Sequence, residues 1–378
     1  MSKSLADKFA KSTKLFGSGK FSKVLKKEKK SYDTGVYGLN LAFDGDLING
    51  GLTQGVTCLA GKSKSFKTLF GLISCKAYLD AHPDAHMLFY DSEGGASQEY
   101  FESVGIDVDR VIYMPVMNIE ELKFDLTTKM QEIRESYEEA KNEEDKPRFV
   151  VFVDSIGNLA SIKEVKDAMS DNPAADMGTR AKALKALFRI ITPYFDRCEM
   201  AMIAIMHTYD EMASMGAPKQ IMSGGNGPMY SSNNVFIVGK QQIKEGKDII
   251  GWQFILNIEK SRTIREKCKI PFEVLYGIGL DKYSGLLDIA IATGHVIKPK
   301  MGWYTRPNVE NDKSWRRKDA SCSTFWDPVL ADQTFLDAVK SMYCLSGGNT
   351  LLQGKIDNML NPGEELDEET GEILNTEQ

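Results

Sequence analysis

Residues 55–80, "GVTCLAGKSKSFKTLFGLISCKAYLD", constrain the fold more than any other part of the chain. An apolar, strand-like run ends at Gly61, and a helix-length run begins near Lys67. The loop between them follows the phosphate-binding pattern G-x-x-x-x-G-K-[ST], except that Phe66 replaces the second glycine. Strand, loop and helix in this order predict a nucleotide site at the edge of an α/β sheet.

In such a loop, backbone N–H groups and the helix N-terminus bind phosphate, Lys67 meets the β- and γ-phosphates, and Thr68 ligates Mg²⁺. Glycine at the position of Phe66 would allow unusual dihedral angles. We expect Phe66 instead to follow Ser65 into an ordinary helical turn, since the backbone donors do not depend on the side chain. The predicted ATP-binding residues of the loop are Gly61, Lys62, Ser63, Lys64, Ser65, Phe66, Lys67 and Thr68.

Two more apolar runs end in acidic residues. "FVVFVDS" (149–155) places Asp154 where a carboxylate holds Mg²⁺ through water, and "MLFYDSE" (87–93) ends at Asp91 and Glu93. Ligands bind outside the carboxyl ends of parallel strands, so a carboxylate there can orient and deprotonate an attacking water. A turn cap at Asp154 and a surface turn at 91–93 are the alternatives, but three strand-end signals in order outweigh any one alone.

Short apolar runs alternate with helix-length segments along the middle of the chain. The strand-like runs are 56–60, 86–90, 148–154 and 200–206, and the helical segments lie near 66–80, 118–140 and 179–195. Such alternation predicts an α/β fold with a mostly parallel central sheet and helices on both faces. Runs at 235–239, 252–259 and 269–276 have no long helices between them, which predicts an antiparallel extension of the sheet. After residue 300 the pattern is irregular and aromatic.

Composition places the chain among ordinary globular proteins, since 42% of its 378 residues are hydrophobic and 26% are charged. The six cysteines are scattered without a CxxC pair, which indicates free thiols in a reducing compartment. No apolar run approaches the roughly 18 residues of a membrane span. We therefore expect a soluble, cytoplasmic protein.

The charge is polarised between the two ends. Residues 1–31 carry ten lysines against Asp7 and Glu28, whereas residues 363–378 carry seven acidic residues and no base. A basic arm of this kind contacts nucleic acid or an acidic partner, and an acidic tail repels or mimics nucleic acid. Solubilising disorder at both ends is the alternative, and charge alone leaves the choice open.

Several segments together resemble the RecA-type strand-exchange recombinases over roughly residues 30–330. They are "AGKSKSFKT", "LFYDSE", "VVFVDSIGNLAS", "ALFRIITPYF", "GGNGPMYS", "EKSRT" and "YSGLLD". Phage members of this family share the "SFK" form of the loop, so the resemblance implies that the loop is functional. It also implies a RecA-like P-loop ATPase core that uses ATP and Mg²⁺.

The resemblance implies a role for each matching residue. Glu93 would be the catalytic carboxylate, and Tyr100 would stack on adenine. His207, at the end of the strand "MAMIAIMH", would sense the γ-phosphate where relatives carry a glutamine, although a lone histidine after an apolar strand is otherwise more often structural. Lys260 and Arg262, in "EKSRT", would reach the phosphates bound by a neighbouring protomer. The implied catalytic residues are Glu93, Lys67 and His207.

Two loops after the sheet would bind DNA, at about 160–179 and 208–229. The first is too long and polar for a simple connection. Lys182 and Arg189 lie seven residues apart, on one face of the following helix, and resemble phosphate-contacting positions of the family; a solvated helix face is the alternative. The DNA-binding residues implied in the second loop are Ser223, Gly224, Gly225 and Asn226, where glycine lets backbone N–H groups approach phosphate.

The implied function is that of a DNA-dependent ATPase that forms helical filaments on single-stranded DNA and pairs it with homologous duplex. ADP is the implied product, with AMP as a second product, and a recombination mediator and a single-strand-binding protein are the implied partners. A RecA-fold ring helicase and a catalytically weak, filament-forming DNA-binding paralogue are the alternatives. The expected organisation is a basic arm (1–31) for contact between protomers, a core (32–300), a C-terminal region (301–362) and an acidic, disordered tail (363–378).

Overall fold

The computed structural model describes Leu5, Phe9 and residues 30–170, 178–211, 219–245, 247–276 and 279–345, with the backbone of 365–366 and 373–374. The predictions for the basic arm and the acidic tail therefore lie almost entirely outside the described residues.

Strands and helices alternate along the described part of the chain. The strands are β1 (Ser31–Tyr32), β2 (Leu52–Thr53), β3 (Gly55–Gly61), β4 (His86–Asp91), β5 (Val111–Pro115), β6 (Phe149–Asp154), β7 (Ala201–Glu211), β8 (Lys219–Met222), β9 (Asn234–Glu245), β10 (Asp248–Lys260), β11 (Lys269–Leu275), β12 (Gly279–Leu280), β13 (Ile297–Lys300), β14 (Trp303–Thr305), β15 (Trp315–Arg316), β16 (Glu365–Leu366) and β17 (Ile373–Leu374). The helices are α1 (Tyr37–Asp44), α2 (Lys67–Ala81), α3 (Gln98–Val104), α4 (Ile119–Glu139), α5 (Ile162–Ala168), α6 (Thr179–Arg197), α7 (Asn226–Ser231), α8 (Leu286–Ala292), α9 (Ser323–Leu330) and α10 (Gln333–Tyr343).

The centre of the protein is a ten-stranded sheet. Its strand order is β12–β11–β10–β9–β3–β7–β6–β4–β5, and β8 pairs with β7 outside this path. Neighbours from β9 to β5 pair parallel, whereas β9 to β12 pair antiparallel. The predicted α/β fold, with a mostly parallel sheet and an antiparallel extension, is confirmed.

Hydrophobic clusters cover both faces of the sheet. Along β6, Val150 and Phe152 belong to one cluster and Val151 and Val153 to the other, and all four are fully buried. Strands buried on both faces read as continuous apolar runs, which is why the sequence revealed them. Helix α2 packs on the first face, and α4 and α6 pack on the second.

Helix α2 ends where its sequence requires. His82 follows its last residue with extended dihedral angles, φ −133° and ψ 94°. Pro83 disfavours helical conformation at the residue before it, so the helix cannot continue. The helices predicted near 66–80, 118–140 and 179–195 are observed as α2, α4 and α6, within about two residues at each end.

Several elements differ from the predictions. The first proposed DNA-binding loop contains α5, and the second contains the antiparallel β7–β8 pair and α7; residues 171–177 and 212–218 lie outside the described chain. Helix α3 and the edge strand β5 had no sequence prediction.

The region after residue 300 is not irregular, because it contains a three-stranded sheet, β13–β14–β15, and the helices α9 and α10. Its aromatic residues pack together, with Tyr304, Trp315 and Trp326 all buried. Within the described residues, no helix is both long and apolar enough to cross a membrane.

Candidate functional site

The carboxyl ends of the parallel strands bring three predicted segments together. Asp91, at the end of β4, is in register with Asp154, at the end of β6. Gly61, at the end of β3, is in register with His207 of β7. Since these strands are adjacent in the order β3–β7–β6–β4, the phosphate-binding loop and the acidic strand ends lie along one edge of the sheet.

The loop before α2 contains two non-glycine residues with left-handed backbone. Lys64 has a φ of 57°, and Phe66, directly before α2, has φ 59° and ψ 18°. The prediction that Phe66 follows an ordinary helical turn is therefore wrong, since Phe66 adopts the conformation for which glycine is preferred. Its ring packs against Phe254 of β10, with the ring centroids 4.6 Å apart.

The lysine of the loop folds back on the loop itself. Lys67 Nζ donates to the carbonyl oxygen of Lys62 at 2.8 Å and to Ser65 Oγ at 3.3 Å. Burial lowers the pKa of Lys67, and the nearby charges of Asp154 and Glu93 oppose that shift. Among the described residues, the hydrogen-bond acceptors of this buried ammonium are neutral oxygens, which it can exchange for a phosphate oxygen.

Other contacts hold the shape of the loop. A Cβ at Gly61 would lie 2.9 Å from both Ser65 Oγ and the carbonyl oxygen of Val238, so this position requires glycine. Lys240 Nζ donates to the carbonyl oxygen of Lys64 at 3.1 Å, and Lys62 forms an exposed ion pair with Asp210 at 2.8 Å. Ser63 is exposed in the same loop.

The two predicted Mg²⁺ ligands contact each other. Thr68 Oγ1 donates to Asp154 Oδ2 at 2.7 Å. Burial raises the pKa of Asp154 to about 6, and the hydrogen bond from Thr68 partly opposes the shift. A hydroxyl and a buried carboxylate side by side form the oxygen donor set that Mg²⁺ prefers, so these residues fit the ion.

Glu93 lies in a compact polar cluster. Its Oε1 accepts hydrogen bonds from Ser155 Oγ at 2.6 Å and Asn158 Nδ2 at 2.8 Å, and lies 3.3 Å from His207 Nε2. Gly157 makes room for the imidazole, because a Cβ there would lie 2.2 Å from His207 Cδ2. No role was predicted for Ser155 or Asn158, although their position shortly after a strand-end acid was a usable signal.

His207 does not end its strand, as the sequence suggested, because β7 continues to Glu211. The backbone N–H of Ser223 donates to the carbonyl oxygen of His207 at 2.8 Å. The residue whose imidazole lies beside Glu93 is therefore hydrogen-bonded, through its backbone carbonyl, to the second proposed DNA-binding segment.

Asp91 and Tyr100 are the remaining predicted residues near the carboxyl ends of the strands. Asp91 Oδ1 accepts from the backbone N–H groups of Glu93 and Gly94 at 2.9 and 2.8 Å, so it shapes the turn that carries Glu93. Tyr100 is half-buried on α3, and its pKa is raised by burial and by the charge of Asp154.

Lys260, at the end of β10, lies away from the phosphate loop of its own chain, and Arg262 follows two residues later. Lys260 pairs with Val235, whereas Gly61 pairs with Val238, three residues further along β9. At about 3.3 Å per residue, Lys260 therefore lies roughly 10 Å from Gly61 along the strand direction, towards the amino ends of the parallel strands. Lys260 Nζ donates to the carbonyl oxygens of Met229 and Tyr230 at 2.9 and 2.8 Å.

The proposed DNA-contacting residues surround the N-terminal half of α6. Lys182 and Arg189 are both exposed on this helix, and Lys185 is exposed between them. A Cβ at Gly224 would lie 2.8 Å from Leu184 Cδ1, so this glycine lets its segment pack against α6. Gly225 and Asn226 are exposed, directly before and at the start of α7, and the hydroxyl of Ser223 is buried without a hydrogen-bond partner among the described residues.

Comparison with known proteins places the chain in a family. The model of the RecA N-terminal domain matches residues 3–281. The model described as the C-terminal domain of the bacteriophage T4 recombination and repair protein, UvsX, matches residues 283–339. The chain is 44% identical to that protein of Enterobacteria phage T4 over 344 residues, which cover 88% of this chain and 84% of the T4 protein.

Bacterial RecA proteins are more distant. The RecA of Fusobacterium nucleatum subsp. nucleatum is 25% identical over 309 residues, 80% of this chain and 75% of that protein. The RecA of Clostridioides difficile is 26% identical over 309 residues, 80% of this chain and 82% of that protein. The chain belongs to the RecA family, together with the recombination and repair protein of phage T4.

Proposed function

We propose that this protein is an ATP-dependent DNA strand-exchange recombinase, which forms helical filaments on single-stranded DNA and serves homologous recombination, repair and recombination-dependent replication. The observation that carries the proposal is the cluster at the carboxyl edge of the sheet, where Lys67, Thr68, Asp154, Glu93 and His207 converge in a chain of the RecA family.

The loop and the two adjacent strand ends are suited to an ATP–Mg²⁺ complex. Lys67 would leave the carbonyl oxygen of Lys62 for the β- and γ-phosphates, and Thr68 and Asp154 would hold Mg²⁺, Asp154 through water. The ion would neutralise charge that develops on the phosphate oxygens. Tyr100 would stack on the adenine.

Glu93 would activate the attacking water. Its side chain is 38% exposed and lies at the open edge of the sheet, within 3.3 Å of His207. The carboxylate would accept a proton from water as the water oxygen bonds to the γ-phosphorus and the bond to the bridging oxygen breaks, giving ADP and phosphate. We also propose AMP as a second product of ATP hydrolysis.

Assembly would complete the site. Lys260 lies roughly 10 Å along the strands from its own phosphate loop, and Arg262 follows two residues after the end of β10. Both residues are therefore assigned to the nucleotide of a neighbouring protomer. Cations supplied in this way make hydrolysis depend on filament formation, as an arginine finger does in trans.

DNA would be bound mainly through its phosphates. Lys182 and Arg189 offer charge on one exposed face of α6, and Gly225 and Asn226 offer backbone N–H groups beside it. Contacts to phosphate are independent of sequence, which suits a protein that tests homology by base pairing. A recombination mediator and a single-strand-binding protein would be the protein partners.

D-loop formation tests the proposal most directly. A labelled single-stranded oligonucleotide is incubated with supercoiled plasmid, either homologous or heterologous, with and without ATP. We expect D-loops only with ATP and the homologous plasmid. Duplex unwinding without D-loops would identify a ring helicase, and DNA binding without ATP turnover would identify a catalytically weak paralogue.

Two variants and a control connect this assay to the site. Lys67→Ala should abolish ATP turnover and D-loops, because the phosphates lose the buried lysine that would bind them. Glu93→Gln should bind ATP and DNA but hydrolyse slowly, giving long-lived filaments. Lys76→Ala, which removes a half-buried side chain of α2 and its ion pair with Asp80, should keep the ATP turnover and D-loop formation of wild type. Normal hydrolysis by Glu93→Gln would contradict the proposed role of this carboxylate.

A further inference from the structure

The Glu93 carboxylate is held through one oxygen atom only. Ser155 Oγ and Asn158 Nδ2 donate to Oε1 at 2.6 and 2.8 Å, and His207 Nε2 lies 3.3 Å from the same atom. Across the part of the chain that the structure describes, Oε2 has no hydrogen-bond partner. The two oxygens of the carboxylate are therefore in different environments.

This asymmetry has a chemical consequence. A carboxylate that acts as a base needs a free lone pair pointing at the proton that it accepts, and it needs a fixed orientation. Hydrogen bonds to Oε1 occupy lone pairs of that oxygen and fix the orientation of the carboxylate, whereas the lone pairs of Oε2 stay available. The side chain of Glu93 is 38% exposed, so water reaches it.

The groups that hold Oε1 are themselves rigid. Ser155 is fully buried directly after β6, and its backbone N–H donates to Ser92 Oγ at 3.0 Å. In return, Ser92 Oγ donates to the carbonyl oxygen of Ser155 at 2.7 Å. Asn158 ends the short helical turn Ile156–Asn158, so both donors are attached to the same fixed strand end as Asp154.

We propose that Ser155 and Asn158 are positioning residues for ATP hydrolysis: they hold Glu93 by Oε1 so that Oε2 is the atom that takes the proton from water. The inference rests on the proposed function, because it assigns an orientation to the base named there. The water oxygen then bonds to the γ-phosphorus, the bond from that phosphorus to the bridging oxygen breaks, and ADP leaves with the electron pair.

Steady-state ATPase kinetics with saturating single-stranded DNA test the proposal. Asn158→Ala changes an exposed residue and should fold normally. We expect kcat to fall about tenfold in Asn158→Ala and also in Ser155→Ala. Each variant loses one hydrogen bond to the charged carboxylate of Glu93. The KM for ATP and the affinity for a fluorescent ATP analogue should change less than twofold.

An isosteric change separates the lost donor from lost packing. Asn158→Asp keeps the shape of the side chain but places a second carboxylate beside Glu93, so kcat should fall further than in Asn158→Ala. The matched control is Asn49→Asp, the same substitution at an exposed turn between α1 and β2, which should leave kcat and KM unchanged.

A double-mutant cycle gives the decisive readout. If Asn158 acts through Glu93, then Glu93→Gln with Asn158→Ala should be no slower than Glu93→Gln alone. Multiplicative losses would overturn the proposal, as would a normal kcat in both Ser155→Ala and Asn158→Ala while Glu93→Gln is slow. A normal kcat in Glu93→Gln itself would instead remove the proposed role of Glu93.

Discussion

Replacing Phe66 by glycine restores the residue that the general phosphate-loop pattern contains, yet the structure predicts that the protein becomes less stable. Phe66 has left-handed dihedral angles, φ 59° and ψ 18°, which cost a non-glycine residue about 1–2 kcal/mol. Glycine relieves that cost. It also removes the ring that packs 4.6 Å from the ring of Phe254, itself a buried residue.

The lost packing is larger than the relieved strain. Phe66 is 38% exposed, so the substitution loses about six-tenths of the stabilisation that a fully buried phenylalanine provides, or about 1–2 kcal/mol. The aromatic pair adds about 0.5–1.5 kcal/mol, and the greater freedom of glycine in the unfolded chain costs about 0.5–1 kcal/mol more. The expected net loss of stability for Phe66→Gly is about 1–2 kcal/mol.

Phe66→Ala separates the two effects, because alanine loses the ring and keeps the backbone strain. We therefore expect urea midpoints in the order wild type, Phe66→Gly, Phe66→Ala. Phe124→Ala, which removes a phenylalanine that is 76% exposed on α4, is the control and should match wild type.

ATP turnover of Phe66→Gly should stay within a few-fold of wild type, far from the loss expected for Lys67→Ala. If Phe66→Ala were as stable as Phe66→Gly, the strain argument would be refuted. A tenfold gain in turnover on restoring glycine would show that Phe66 impairs the loop.

Three further predictions concern charge. The pKa of Asp154 is raised from 3.8 to about 6, so the stability associated with its protonated form is present below about pH 4 and lost as the pH rises through about 6. Asp154→Asn should therefore stabilise the nucleotide-free protein at pH 8 by up to about 3 kcal/mol and have little effect near pH 4; equal urea stability of both proteins at pH 8 would contradict this. Lys182→Ala and Arg189→Ala should each weaken DNA binding evenly across sequences and flatten the dependence of log K on log salt by about one, and a steep preference for one base sequence would argue against strand exchange. Truncation after Pro362 removes seven acidic residues that would compete with DNA phosphates, so filament nucleation should be faster, most of all on duplex DNA at low salt; equal lag times at two salt concentrations would leave only a solubilising role.

The positions of the buried strands along the chain, and the residues at their carboxyl ends, could be predicted from local patterns. Buried strands are continuous apolar runs, and in a parallel sheet their carboxyl ends share one edge. Asp154, Glu93 and Thr68 each adjoin the end of such a run or the loop after it, so their meeting follows from the alternation of strands and helices alone. The edge strand β5 was missed because three of its five residues are exposed and the other two are half-buried, so it carries no such signal.

Other features depend on packing between residues distant in sequence. The left-handed conformation of Phe66 is stabilised by Phe254, 188 positions away along the chain, and nothing near Phe66 indicates it. The hydrogen bonds that fix Glu93 join the ends of β4 and β6, and the register that brings His207 of β7 beside them arises only when β7 pairs with β3 and β6. The sequence by itself therefore determined which residues lie at the carboxyl ends of the buried strands. The tertiary structure decided which atoms meet, because strand register and side-chain packing are properties of the whole sheet.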